Sequence, residues 1–227
     1  MPAGAGVDID SIREPSETLC MRRILVLLTV LAATLALPFA GHAQTTEIAG
    51  VKFANTVQVG GTRLQLNGAG VRYKIVFKVY AAALYLGEKA ATPETVLAAP
   101  GPHRLQIVML RDIDANELGK LFTKGMEQNA PRDEFSKSIV GILRMSDIFS
   151  SRKKLAAGES FAIEWLPGTG TVISVNGKPE GAPIKEPEFY SALMKIWLGK
   201  APADAQLKDA LLGKAPSNNG AGSPASN

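Results

Sequence analysis

Residues 66 to 86 read LNGAGVRYKIVFKVYAAALYL, and this stretch decides the fold. Asn67-Gly68-Ala69-Gly70 predicts a turn, because glycine accepts backbone angles that other residues resist. Val71 to Leu86 is rich in Val, Ile, Phe and Tyr, the composition of a β-strand. In an extended chain Arg72, Lys74, Lys78 and Tyr80 share one face, with Tyr73, Ile75, Phe77 and Val79 on the other. Polar groups on the inner face of a sheet point to a site as well as a core. Arg72 and Tyr80 lie eight residues apart, roughly 26 Å in a straight strand at about 3.3 Å per residue. They meet only if a tight turn or bulge falls between Tyr73 and Phe77.

The flanking sequence predicts more strands, then helices, then strands and helices again. Glu47 to Phe53 is a short strand candidate. Gly60-Gly61 makes a hairpin of Val57 to Leu66. Thr92-Pro93-Glu94 opens a short helix, with Thr92 as its cap. Leu105, Ile107 and Met109 alternate in a half-buried strand over Arg104 to Arg111. Asp114 caps a helix whose stripe is Leu118, Leu121, Phe122 and Met126, read as core packing. A second helix starts at Ala130-Pro131, with Phe135, Ile139, Ile142, Leu143 and Phe149 on one face. Phe161, Ile163 and Trp165 alternate in the next strand, and Asn176-Gly177 is a tight-turn signal after Val175. Pro187 opens a helix striped with Phe189, Leu193 and Trp197 that ends at Gly199. Asp204 to Leu212 is a last short helix. Antiparallel strands with helices stacked on one face satisfy this order, an α+β layout.

Residues 1–43 are not expected to join the fold. Met21-Arg22-Arg23 is a basic start, Ile24 to Leu37 an apolar run of 14 residues, and Gly41-His42-Ala43 offers small residues for cleavage. This predicts a secretory signal peptide removed near Ala43. The run is too short for a span of roughly 20 residues, so no stable membrane span is expected after cleavage. The polar first 20 residues are read as an upstream extension, with Met21 as the true start. The expected domain is residues 44–213, in the periplasm or secreted, and residues 214–227 have the composition of a disordered tail.

Composition narrows the chemistry. From Gln44 onward 22 basic and 17 acidic residues remain, and the basic ones are scattered, which argues against nucleic acid. Cys20, the single cysteine, leaves with the leader. His103 is then the one remaining histidine, so neither a metal site nor a Ser-His-Asp set is expected. His103 reads as an exposed turn histidine, with a haem ligand as the alternative. No phosphate-binding glycine loop is present, and no cofactor is expected. Arg72 and Tyr80 remain as the ligand-binding candidates. A guanidinium holds a carboxylate through two hydrogen bonds, and a phenol adds a third. The structural alternative for Arg72 is a surface or salt-bridging arginine at a strand start.

GAGVR followed by FKVYAAALYL resembles the chalcone isomerase-like family. The resemblance is specific here and weaker over about residues 47 to 213. It implies an open-faced β-sandwich, a large antiparallel sheet covered by helices with the ligand cleft between them. It also implies that Arg72 binds a ligand's anionic oxygen. Where plant isomerases have a threonine, Tyr80 matches the fatty-acid-binding relatives, whose run is similar to Lys78-Val79-Tyr80-Ala81-Ala82. The tyrosine, asparagine and threonine that the isomerases use on two helices align with Leu118, Gly125 and Ile196, so that set is incomplete. The leading expectation is a binding protein for a small amphipathic carboxylate such as a fatty acid. An intramolecular lyase on another substrate and a ligand-free interaction module are the alternatives. The sequence does not fix the oligomeric state.

Overall fold

The computed structural model describes residues 44–214. The extension, leader and cleavage site expected within residues 1–43 lie outside the described residues, as does the expected tail beyond Lys214. Among the described residues no helix is long and apolar enough to cross a membrane.

The chain opens with two short strands, β1 (Thr45–Ile48) and β2 (Val51–Ala54), paired antiparallel. The single strand expected from Glu47 to Phe53 is therefore a hairpin. Ala49 and Gly50 make its turn with φ of 51° and 85°. Next come β3 (Thr56–Val59), β4 (Thr62–Lys74) and β5 (Phe77–Leu86). Helix α1 (Pro93–Ala98) leads to β6 (His103–Met109). The short β7 (Ile113–Asp114) runs into α2 (Ala115–Asn129), followed by α3 (Arg132–Lys137) and α4 (Ile139–Ser150). Then come β8 (Lys154–Leu155), β9 (Ser160–Leu166), β10 (Gly170–Val175) and β11 (Lys178–Ile184). Two helices, α5 (Pro187–Leu198) and α6 (Ala205–Leu211), finish the described chain.

Seven strands form one sheet in the order β11-β10-β9-β6-β5-β4-β3, every neighbour antiparallel. The face expected for Lys78 with Tyr80 does not hold: the register shifts between the Tyr73–Lys78 and Arg72–Tyr80 pairs, so Lys78 lies on the face opposite Tyr80, Phe77 lies on the face of Lys74, and Val79 joins the cluster of Tyr80. Beyond that shift β5 alternates between two clusters. Tyr80, Ala82, Leu84 and Leu86 face the helices, and Ala81, Ala83 and Tyr85 pack on the other face with Phe53, Val59 and Leu64. Helix α5 is buried nearly all round, from Phe189 to Leu198, so it lies inside the helical layer rather than on its surface. Among the described residues both clusters are built from residues 48 to 212.

The two expected caps form: Thr92 Oγ1 accepts from Thr95 N–H at 3.2 Å and Asp114 Oδ1 from Glu117 N–H at 2.9 Å. Asp204, read as the first residue of the last helix, is its cap, with Oδ1 accepting from Leu207 N–H at 3.0 Å. Asn176 and Gly177 turn with φ of 50° and 77°. Two expectations fail. The helix after Pro131 breaks at Ser138, and in α4 Ile142, Met145 and Phe149 are buried while Ile139 and Leu143 face solvent. Lys178–Ile184 was not foreseen as a strand, because it holds Pro179, Gly181 and Pro183. As an edge strand it can do without the missing donors.

Candidate functional site

Asn67-Gly68-Ala69-Gly70 is not a turn. It lies inside β4, and neither Gly68 nor Gly70 has a positive φ. The glycines are there for close approach. A Cβ on Gly68 would sit 2.0 Å from the carbonyl oxygen of Ala210, and one on Gly70 would sit 2.7 Å from Ala210 Cβ, so α6 rests directly on the β4 backbone. Asn67 is the extra residue of a β-bulge, where the register moves between Leu66 and Gly68. Its buried amide donates to Ala90 O at 2.9 Å and Leu211 O at 2.7 Å and accepts from Ala90 N–H at 2.8 Å.

The turn falls instead at Ile75-Val76, within the span the Arg72–Tyr80 pairing requires and without glycine. Lys74 pairs with Phe77, and Ile75 takes φ of 60°. A second bulge, with Val79 as its extra residue, separates the Tyr73–Lys78 and Arg72–Tyr80 pairs. Arg72 and Tyr80 therefore become direct cross-strand partners on the helix-facing side of the sheet. The Arg72 Cζ lies 5.6 Å from the centroid of the Tyr80 ring.

Tyr80 is only 1% exposed. Its Oη accepts from the Trp197 Nε1–H at 2.7 Å. Burial pushes the phenol up to about 12, against the opposing pull of Arg72 and the Trp197 hydrogen bond. Tyr80 therefore keeps its proton at neutral pH. With one lone pair engaged by the indole, its O–H is left to donate. Arg72 is half-buried, its Nε is buried without a partner, and it makes no salt bridge with a described carboxylate. Asp204, whose charge reaches Tyr80, is engaged by the N–H groups of Tyr73 at 2.8 Å and Leu207. The salt-bridging alternative for Arg72 does not describe this arrangement.

Arg72 and Tyr80 stand at one wall of a cavity of about 290 Å³ between the sheet and the pair α2 and α5. Leu118, Phe122, Gly125 and Ile196 supply its apolar wall, and Lys124 and Gln128 its polar part. Leu118, Gly125 and Ile196 are the three positions aligned with isomerase side chains, and here all three are apolar. A Cβ on Gly125 would lie 3.1 Å from Ile196 Cγ1, so any side chain there would press on Ile196, which would have to give by a few tenths of an ångström.

Trp197 was legible only as part of a helical stripe. The available signal was that a buried indole N–H needs an acceptor. His103 is buried, not an exposed turn residue. Pro102 leads directly into β6, where His103 pairs with Trp165 and its Nδ1 lies 3.3 Å from the Tyr190 hydroxyl. It stands away from the cavity. Among the described residues no group of three His, Cys, Asp or Glu is placed to hold a metal.

No curated protein matches the chain by sequence. Among solved structures, an Arabidopsis thaliana fatty-acid binding protein superposes with a TM-score of 0.59 at 12% identity, covering 74% of this chain and 96% of its own. At that identity the likeness speaks to the fold alone: an open-faced β-sandwich. The family model described as chalcone isomerase-like matches residues 45–213. The chain belongs to the chalcone isomerase-like family.

Proposed function

We propose that the chain binds a small amphipathic carboxylate, with a fatty acid as the representative ligand. The observation that carries this reading is Arg72, a guanidinium without a carboxylate partner among the described residues, beside a protonated phenol at the wall of a partly apolar cavity. The carboxylate would accept from Arg72 and from the Tyr80 hydroxyl, and the alkyl chain would lie along Leu118, Phe122 and Ile196. The fatty-acid binding of the structural neighbour supports the ligand class. Each buried CH₂ contributes about 0.8 kcal/mol, so the tail would dominate affinity and Arg72 would set orientation. Ligand pockets start at about 300 Å³, and a cavity of about 290 Å³ favours a short to medium chain. Tyr80 at about 12 is a hydrogen-bond donor, not a general base, which weighs for binding over ring closure.

Native mass spectrometry tests this directly, comparing the chain from Gln44 to Asn227 with its Arg72→Ala variant in the presence of decanoate. A 1:1 complex is expected. Losing one charged hydrogen bond of about 1.5–3 kcal/mol should weaken it roughly 10- to 100-fold without abolishing it. Equal occupancy in both proteins would remove Arg72 from the site, and bare protein in both would remove the ligand class.

We propose further that the protein is exported to the periplasm or beyond and cleaved near Ala43. The basic start at Met21 to Arg23 and the apolar run that follows support this. The intact mass of the protein recovered from the periplasm should begin at Gln44. A mass that retains the leader would refute it.

A further inference from the structure

The hairpin that carries Arg72 and Tyr80 ends in a tip that takes no part in that site. Ile75 is 88% exposed, Val76 75% and Phe77 58%, with Tyr73 exposed beside them. Hairpin turns of this length favour Gly or Asn-Gly, and here a β-branched residue is held at φ of 60°, a conformation strained for L side chains. Neither stability nor solubility accounts for Ile-Val-Phe at the end of a two-stranded ribbon.

The charge around the tip is specific. Lys74 and Lys78 flank it on the two strands, and the Arg111 Cζ lies 5.4 Å from the centroid of the Phe77 ring. The nearby carboxylates are largely engaged. Asp112 holds Lys154 at 2.6 Å and the N–H of Ala157 at 2.9 Å. Asp114 caps α2, and Asp204 accepts from Tyr73 and caps α6. Glu117 reaches Lys74 only at 4.0 Å, with both side chains more than half exposed.

An apolar point within a collar of cations complements a surface that is apolar inside and anionic at its rim. We propose that the β4–β5 tip docks on a bilayer of anionic lipids. Ile75, Val76 and Phe77 enter below the head groups, and Lys74, Lys78 and Arg111 stay at the level of the phosphates. The proposal does not depend on the carboxylate reading, since no bound ligand enters it.

The test is co-sedimentation of the chain from Gln44 to Asn227 with phosphatidylcholine vesicles, with and without phosphatidylglycerol, and with no fatty acid added. Binding is expected to require phosphatidylglycerol and to weaken with salt. Ile75→Ser with Phe77→Ser should reduce partitioning by about tenfold or more. Lys78→Gln should reduce it about fivefold. These side chains are exposed, so circular dichroism should be unchanged in both variants. As a second readout, Phe77→Trp should blue-shift on vesicle addition and be quenched by brominated acyl chains. No binding, equal partitioning of parent and double variant, or an unshifted Phe77→Trp would each overturn the proposal. Tip-dependent self-association without vesicles would overturn it too, by assigning the tip to a second copy of the chain.

Discussion

Tyr80 and Trp197 form a buried pair in which the phenol oxygen satisfies the indole N–H. Removing one leaves a polar group without a partner, which costs about 1–3 kcal/mol, while replacing both with apolar rings removes the need altogether. Tyr80→Phe and Trp197→Phe should therefore each lower stability, and the double variant should lose less than their sum. Urea unfolding of the four proteins would show this coupling, and strict additivity would refute it. His103 gives a second expectation. Burial lowers its pKa below the ordinary value. The unfolded chain then takes up a proton that the folded chain resists, so stability is full above about pH 6.5 and falls as pH drops below it. Thermal unfolding between about pH 7 and 5 should show this slope, flattened in His103→Phe. The residues proposed to bind were legible in the sequence, because Arg72 and Tyr80 stand in a recognisable run. The residues that hold them were not. An indole on a helical stripe and an asparagine in a glycine motif look the same whether or not they meet a partner far along the chain.

Both surprises of the β4–β5 hairpin come from glycine's two uses. Glycine permits positive φ, and it also lets another backbone approach, and a sequence does not say which is at work. Gly68 and Gly70 serve the second use. The turn that needed the first was made by Ile75, a residue that carries no turn signal. Opposite substitutions separate the two. Ile75→Gly should stabilise the fold by about 1 kcal/mol, by relieving the left-handed strain less the entropy that glycine adds to the unfolded chain. A lower melting temperature would show that the turn is not strained. Gly68→Ala should cost more than about 3 kcal/mol, since its methyl would overlap the Ala210 carbonyl and α6 would have to lift. A melting temperature within a few degrees of the parent would mean that α6 yields easily.

At the scale of the whole molecule the layout was legible. Alternation with a period of two and stripes with a period of 3.6 set strands and helices in the right order, and a sheet with one helical face followed. What stayed hidden were pieces whose local chemistry contradicts their place, such as β11 with its two prolines. The order of the chain hid the rest, because the wall behind the site is assembled from distant ends. Asn67 donates to Leu211, 144 positions later, and α6 covers the glycines of β4. This has a consequence in time. A ribosome adding about 5–20 residues per second needs roughly 7–30 s to travel from one partner to the other. Throughout that interval the amide of the bulge in β4 lacks one of its two acceptors, and the strip over Gly68 and Gly70 is bare. The covering of the hairpin that carries Arg72 and Tyr80 therefore cannot be completed until almost the last described residue has been made.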